Sequence, residues 1–466
     1  MNDAVLSPPP TGHAGGPKVL LEVFGCQMNK LDAELMVSAL KKAGYDFTDR
    51  DEEAAAVLLV TCAIRDQAEH RVHSHLGELS VLKRSHPDLA IGVLGCQAQR
   101  QGQELLKRWA ALDFVAGTRD FPKVARMLDE VRADRTRLLA LEGDPETVSE
   151  ERDVTVRPQR GRAFVNVMRG CDKRCTYCVV PNTRGVEVSR PMADVVGEIE
   201  RLVDDGVVEV TLLGQTVNAW GRREGRSLGE LLYRLEELPG LHRVRFITSH
   251  PEEMDDRLVD AMADCRKSGL FLHLPPQSGS SSVLRRMARG YTVERYDEIM
   301  VSLRERIPGI QIGADIIVGF PGETDEDFEG TRRLMERTRF SQSYVFRYSP
   351  RPGTPAFGRM DDDVPDAVKR QRLAVLNELQ NRIMLERHRG LVGTRQEVLV
   401  EGASRKDPRR LFGRNLAFDR LVFEGEPDWE GRFVDVEVLD ATALTLSGRA
   451  LSAARTAPVS PAPAAV

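Results

Sequence analysis

The run MRGCDKRCTYCVVPNTRG sets Cys171, Cys175 and Cys178 in one short loop with the spacing C-x3-C-x2-C. Three thiolates can surround one point there, and the loop offers no fourth ligand nearby. A closed structural zinc site takes four protein ligands. A 4Fe–4S cubane held by three cysteines leaves one iron open, and an open metal position is where a substrate can be activated. A zinc loop completed by a distant Cys or His is also compatible with the spacing alone.

Cys26, Cys62 and Cys96 are separated each time by about thirty-five residues. Each nonetheless ends an apolar run and precedes a helical pattern, in VFGCQMN, LVTCAIR and VLGCQAQ. In a parallel α/β sheet the C-terminal strand ends share one edge, where ligands bind. The three thiols are therefore expected to converge, beside helix N-termini that favour thiolate. One such cysteine would read as a small buried hydrophobe. Three at the same structural phase point to a second metal site, again with three ligands. Cys265 ends a helix-like segment and reads as a core thiol.

The elements that must position these groups can be read from periodicity. Strands are expected at Val19–Phe24, Val57–Val60, Leu89–Leu94 and Phe114–Ala116, with helices between them and a helix carrying Val124, Met127, Leu128 and Val131 at the end. Alternating strands and helices imply a parallel sheet. A second alternating series has strands at Ala163–Met168, Val208–Leu213, Val244–Ile247, Leu270–Leu274, Ile310–Val318 and Ser343–Tyr348. Six βα units make a partial (βα)6 barrel with its site at the C-terminal mouth of the strands. The cysteine loop follows the first of these strands. After a long helix over residues 365–389 the pattern changes to short strands at Gln396–Val400, Leu411–Arg414, Leu421–Phe423, Phe433–Val438 and Ala443–Leu446, the pattern of a small β-barrel.

The fold class is thus α/β: an N-terminal parallel α/β domain over 18–141, a central partial barrel over 159–389 and a small β-barrel over 390–452. A disordered lead (1–17), a polar linker (142–158) and a Pro/Ala-rich disordered tail (453–466) complete the expected organisation. The hydrophobic content of 41% supplies packed cores and excludes global disorder, while a net charge of −5 confines any nucleic-acid contact to a local patch. Seven cysteines, six of them in trios, argue against a disulfide framework and for a reducing cytoplasm. The N-terminus lacks an apolar signal region and no apolar run approaches a membrane span, so a soluble cytoplasmic protein without membrane contact is expected.

GCQMN at Cys26, TCAIRDQAE at Cys62 and GCDKRCTYCVVPNTRG at Cys171 resemble the methylthiotransferase family of radical S-adenosylmethionine (SAM) enzymes. LLGQTVNAWG, HLPPQSGSSSVLRRMARGYT, DIIVGFPGETDEDF and FRYSPRPGTPA extend the resemblance over residues 18 to 450. Val60 departs from it, since the family usually has Asn before Thr-Cys. The resemblance implies that Cys171, Cys175 and Cys178 hold a radical-generating 4Fe–4S cluster and Cys26, Cys62 and Cys96 an auxiliary 4Fe–4S cluster. It also implies two uses of SAM, as methyl donor and as radical source. The implied reaction adds a methylthio group to carbon 2 of an N(6)-isopentenyl (dimethylallyl) adenosine at position 37 of tRNA, beside the anticodon. Relatives that act on a ribosomal protein, or on threonylcarbamoyl-adenosine in tRNA, differ around the first two cysteines. Implied partners are the tRNA, a reductant such as flavodoxin or ferredoxin and a sulfur donor, with the chain a monomer. No side chain is singled out as catalytic, because the cofactors carry the hard step.

Candidate SAM contacts are Tyr177 beside the last loop cysteine, Gln215 and Asn218 after the second barrel strand, and Gln277 and Ser278 after the fourth; Asp315 and Gly319 border the fifth. The family's glycine-rich SAM motif is not literal here. GETDED after the fifth strand reads as a helix N-terminus with acidic first-turn residues. The C-terminal barrel resembles a TRAM domain, an RNA-binding module. Its run RKDPRRLFGR sets Arg405, Lys406, Arg409, Arg410 and Arg414 beside Phe412, which suits phosphate contacts with stacking on an unpaired base. Lys369, Arg370, Arg372 and Arg382 on the long helix are candidates to extend that basic surface.

Overall fold

The computed structural model of the chain describes residues 4–5, 15–63, 66–143, 152–157 and 159–457. The expected lead up to residue 14, the linker over 144–151 and the tail beyond 457 lie outside the described residues, apart from Ala4–Val5. The chain forms two compact units, one of Met1–Pro158, Arg169–Asp172 and Cys178–Val188, the other of Gln159–Met168, Lys173–Tyr177 and Ser189–Val466.

In the first unit, strands Lys18–Val23, Ala56–Thr61, Ala90–Gly95, Phe114–Ala116 and Leu138–Ala140 run parallel in chain order. AVLLVT and AIGVLG are buried at every position. That is why they read as continuous apolar runs: a sheet covered on both faces needs apolar side chains on each. Helices Gln27–Lys42 and Val124–Asp134 line one core through Met36, Leu40, Leu128 and Val131. Helices Asp66–Ser85 and Cys96–Arg108 line the other through Val72, Leu76, Ala98 and Leu105. Val60 is fully buried in the first of these cores. Sequence periodicity missed the strand Leu138–Ala140 and the two-residue strands Ala4–Val5 and Asp46–Phe47, which are too short to show a period.

In the second unit, strands Arg162–Asn166, Glu209–Leu213 and Arg243–Phe246 form one parallel ladder. Phe271–His273, Gln311–Val318 and Gln342–Arg347 form another. All six expected strands are present in chain order, but the ladder is interrupted between the third and fourth. A single parallel bridge, Val244 to Ser268, and the Ser249 N–H donating to His273 O at 3.2 Å span the interruption. Strands Arg395–Ala403, Arg410–Arg414, Arg420–Glu424, Phe433–Ala441 and Leu446–Ala450 close a five-stranded barrel. The last strand begins at Leu446, where the sequence expectation had it end. The Thr442 hydroxyl accepts from the Thr445 N–H at 3.0 Å and donates to Thr445 O at 2.9 Å, which turns the chain over the preceding residues.

A buried ion network joins the N-terminal ends of the first barrel strands to this small barrel. Glu209 meets Arg162 at 2.7 Å and Arg245 at 3.0 Å. Arg162 also meets Glu401 at 2.7 Å, and Arg243 meets Glu397 at 3.1 Å. Arg245 donates to Asn415 O at 2.8 Å and Leu416 O at 3.1 Å. Burial alone would raise the Glu209 carboxyl, yet Arg245, Arg162 and Arg243 outweigh it and lower its pKa to about 2.

Candidate functional site

The N-terminal trio is positioned by strand register. Val23 pairs with Val60, and Thr61 pairs with Gly95, so three adjacent strands end level with one another. Cys26 is the residue before the helix Gln27–Lys42, Cys62 directly follows Thr61, and Cys96 opens the helix Cys96–Arg108. The preceding glycines permit the close approach. A Cβ on Gly25 (φ +136°) would lie 2.7 Å from Cys62 Cβ, and one on Gly95 (φ +96°) 2.8 Å from Thr61 O. Cys62 and Cys96 are buried and Cys26 is half-buried. Asn29, one helical turn beyond Cys26, ties the strand ends together, donating to Phe24 O at 3.0 Å and Thr61 O at 2.8 Å. Its Oδ1 accepts from Cys26 Sγ at 3.5 Å. Burial pushes the Cys96 thiol up; Arg184 opposes this, while Cys26 and Asp32 add to it.

Of the loop trio, Cys175 is buried and Cys171 and Cys178 are half-buried. The Cys171 N–H donates to Gly185 O at 3.1 Å. The next residue after Cys175 is pinned at three points: Thr176 N–H to Met287 O at 3.0 Å, Thr176 Oγ1 to Arg286 O at 2.9 Å, and Ala356 N–H to Thr176 O at 2.8 Å. Beside it lies Arg289, a residue that sequence reasoning missed although its segment RRMARGYT was in view. Its Nη1 reaches Cys175 Sγ at 3.5 Å and its Nη2 donates to Pro275 O at 3.1 Å. Burial disfavours its charge, but Tyr291, Tyr177 and Cys175 outweigh that and hold it well above the ordinary arginine value.

The polar strand-end residues divide by what they already bond. Asn218 is committed, donating to His250 O at 3.0 Å and accepting from the His250 N–H at 2.8 Å. Ser278 Oγ lies 3.3 Å from Thr331 Oγ1 and accepts from the Ser280 N–H, organising the start of the following helix. Gln277 takes a positive φ of 67° and bridges to Ile316. Tyr177 packs edge-on to Phe320, with ring centroids 6.4 Å apart. Gln215 Oε1, Ser249 Oγ and His250 Nε2 are different: they are buried and carry no hydrogen-bond partner. They follow the C-terminal ends of the second and third strands, where a bound polar molecule would satisfy them. Ser249 and His250 are further residues that sequence reasoning missed. His250 is held neutral by burial, Arg289 and Lys173, all lowering its pKa.

Similarity to known proteins settles the family to which this geometry belongs. The Radical SAM superfamily matches residues 165–335, Uncharacterized protein family UPF0004 matches 18–117, and the TRAM domain matches 389–451. The tRNA-2-methylthio-N(6)-dimethylallyladenosine synthase of Moorella thermoacetica is 42% identical over 431 residues, covering 91% of this chain and 96% of its own. The synthase of Klebsiella pneumoniae is 44% identical over 438 residues, covering 93% and 92%. The chain belongs to the tRNA-2-methylthio-N(6)-dimethylallyladenosine synthase family. A solved radical SAM methyltransferase, TsrM from Kitasatospora setae with tryptophan and aza-SAM bound, shares the fold, with a TM-score of 0.53 at 15% identity over 84% of this chain and 79% of that one.

Three thiols on level strand ends and three in one loop are donor sets of the kind an iron–sulfur cluster takes. Among the described residues no three His, Cys, Asp or Glu side chains are grouped to hold a single metal ion. Cys265 is buried and its thiol is pushed up to about 12 by burial, then by Glu236 and Asp264, as expected of a core thiol.

On the TRAM barrel, Arg405, Lys406 and Arg409 are exposed, and Arg409 pairs with Asp407 at 3.1 Å. Arg410 donates to Val422 O at 3.1 Å, Arg414 pairs with Glu401, and Arg420 covers the Phe412 ring at 4.6 Å. On the long helix Asp366–Arg389, Lys369 pairs with Asp362, Arg370 with Asp366, and Arg372 with Glu323 at 2.7 Å. Lys369 and Arg372 are buried, so that part of the helix face is internally neutralised. GETDED is a helix start, with Thr324 and Asp327 forming a capping box. Among the described residues no helix is long and apolar enough to cross a membrane.

Proposed function

We propose that this chain adds a methylthio group to carbon 2 of N(6)-isopentenyladenosine at position 37 of tRNA. The observation that carries the reading is 42% identity across 91% of this chain and 96% of a synthase of that name, beside the matches to the Radical SAM, UPF0004 and TRAM families. Cys171, Cys175 and Cys178 would hold one 4Fe–4S cluster and Cys26, Cys62 and Cys96 a second. When bound, the clusters and SAM supply the methyl group, the sulfur and the hydrogen-abstracting radical that an unactivated aromatic C–H bond demands.

The protein's own part is to bind and orient. Gln215, Ser249 and His250 offer unpaired buried polar atoms for SAM. Gln277 and Tyr177 line the same strand ends, while Asn218 and Ser278 brace the loops that carry them. On the TRAM barrel, Arg405, Lys406 and Arg409 contact tRNA phosphate. Arg410 and Arg414 keep that surface in shape, and a base would stack on Phe412 by displacing the Arg420 guanidinium that covers its ring. A flavodoxin- or ferredoxin-like reductant and a sulfur donor complete the reaction in the cytoplasm, with the chain acting as a monomer. Anaerobic turnover on isopentenylated tRNA, followed by mass spectrometry of nucleosides, tests the reading. It predicts a methylthiolated isopentenyladenosine. Product only on threonylcarbamoyl-adenosine or on a ribosomal protein would reassign the substrate.

A further inference from the structure

The segment that follows the cysteine loop delivers a cation to the N-terminal trio. Arg184 ends the short helix Val180–Arg184, and its side chain is 5% exposed. Its Nη2 donates to Asp32 Oδ2 at 2.6 Å and to Asn29 Oδ1 at 3.2 Å. Asn29 is the residue that joins Phe24 O, Thr61 O and the Cys26 thiol. The backbone around Arg184 is fixed on both sides. Thr118 Oγ1 donates to Thr183 O at 2.5 Å, and the Arg119 guanidinium lies against Gly185, which takes φ +81°. Val179, five residues earlier, packs with Cys96 and Ala63.

An arginine stays charged in any folded protein. In a poorly solvated site its field acts strongly on neighbouring charge. Here that charge includes Asp32 and, in a loaded site, three thiolates with the cluster they ligate. The reduction potential of an iron–sulfur cluster depends on net charge and hydrogen bonding around it, and a nearby cation favours the more negative, reduced state.

We propose that Arg184 is a positioning residue of the N-terminal cysteine site: anchored on Asp32 and Asn29, it compensates the charge of the cluster held by Cys26, Cys62 and Cys96 and raises that cluster's reduction potential. The proposal rests on the two-cluster reading given above. Asp32 acts in the opposite sense, as a fixed anion that also orients the guanidinium.

The test uses full-length protein with Cys171, Cys175 and Cys178 changed to Ala, so that only the N-terminal cluster reports. After anaerobic reconstitution, a redox titration followed by electron paramagnetic resonance gives its midpoint. Arg184→Met is expected to move the midpoint to more negative potential, Arg184→Lys to restore part of the shift, and Asp32→Asn to move it to more positive potential. A cluster present at parent occupancy with the same midpoint in Arg184→Met overturns the proposal while leaving the two-cluster reading intact. Should Arg184→Met fail to hold iron, Asp32→Asn decides: a positive shift supports the proposal and an unmoved midpoint overturns it. A parent that takes up no iron at this site overturns both.

Discussion

Cys171, Cys175 and Cys178 occupy one short loop, whereas Cys26, Cys62 and Cys96 ride on the ends of three adjacent strands. The loop trio owes its arrangement to spacing and to a few anchors, such as Thr176 on Met287 and Arg286. The sheet trio owes its arrangement to a whole domain: two cores, a parallel register and two glycines that let the backbone close in. The same number of thiols can thus be brought to one place locally or by tertiary structure, and the two arrangements fail in different ways. Each trio also has a buried arginine near it, Arg289 at Cys175 and Arg184 beside Cys26 and Cys96.

The sharpest way to separate the trios is by chemistry. Cys175→Ala should abolish both reductive SAM cleavage and methylthiolation, measured as 5′-deoxyadenosine and modified nucleoside. Cys26→Ala should abolish methylthiolation but still release 5′-deoxyadenosine. Loss of both products in each variant would erase the distinction.

Stability separates the units next. Glu209→Ala leaves buried Arg245 without its carboxylate, while Arg162 keeps Glu401 and Arg243 keeps Glu397, and removing one partner of such a set costs about 3–5 kcal/mol. A lowered melting transition in denaturation would register it. The acid dependence has a defined sign. Glu209 has its pKa lowered to about 2 in the fold, against about 4.3 in an unfolded chain. Its contribution is therefore complete above the unfolded value and is lost as pH falls through about 2. In Glu209→Ala that part of the acid transition should be missing.

Gly25→Ala targets the sheet trio alone. Its φ of +136° and the 2.7 Å approach to Cys62 leave no room for a methyl group. Strain of this kind costs about 1–3 kcal/mol. Iron at the loop trio should be unchanged while iron at the sheet trio falls, as counted after reconstitution.

Changing Arg405, Lys406 and Arg409 together to Ala should have the smallest effect on the clusters and act only on RNA. tRNA affinity should fall, and the slope of log affinity against log salt should flatten by about 0.7–0.9 for each phosphate that is no longer neutralised. SAM cleavage without tRNA should not change. An unaltered salt slope would remove this loop from the interface.

The contrast between the trios also explains what could be read from sequence. A C-x3-C-x2-C loop announces itself because its geometry is local. The sheet trio became legible only through strand phase, each cysteine ending an apolar run and preceding a helical pattern. Arg184 and Arg289 were not legible, since a lone arginine in a loop or after a helix carries no period that reveals burial. The ends of elements slipped for the same reason: Leu446 opens a strand because of a turn built by Thr442 and Thr445, which alternation alone does not encode. Asn218 and Ser278 stood out as polar residues at strand ends, but their hydrogen bonds are spent within the protein.

The central proposal is that the strand-end cysteines hold an iron–sulfur cluster of their own beside the one proposed for the loop. Iron and sulfide counting on anaerobically reconstituted full-length protein tests it most directly. The account predicts about eight irons per chain, falling to about four in Cys26→Ala and to about four in Cys175→Ala. About four irons in the parent, unchanged by Cys26→Ala, would contradict it.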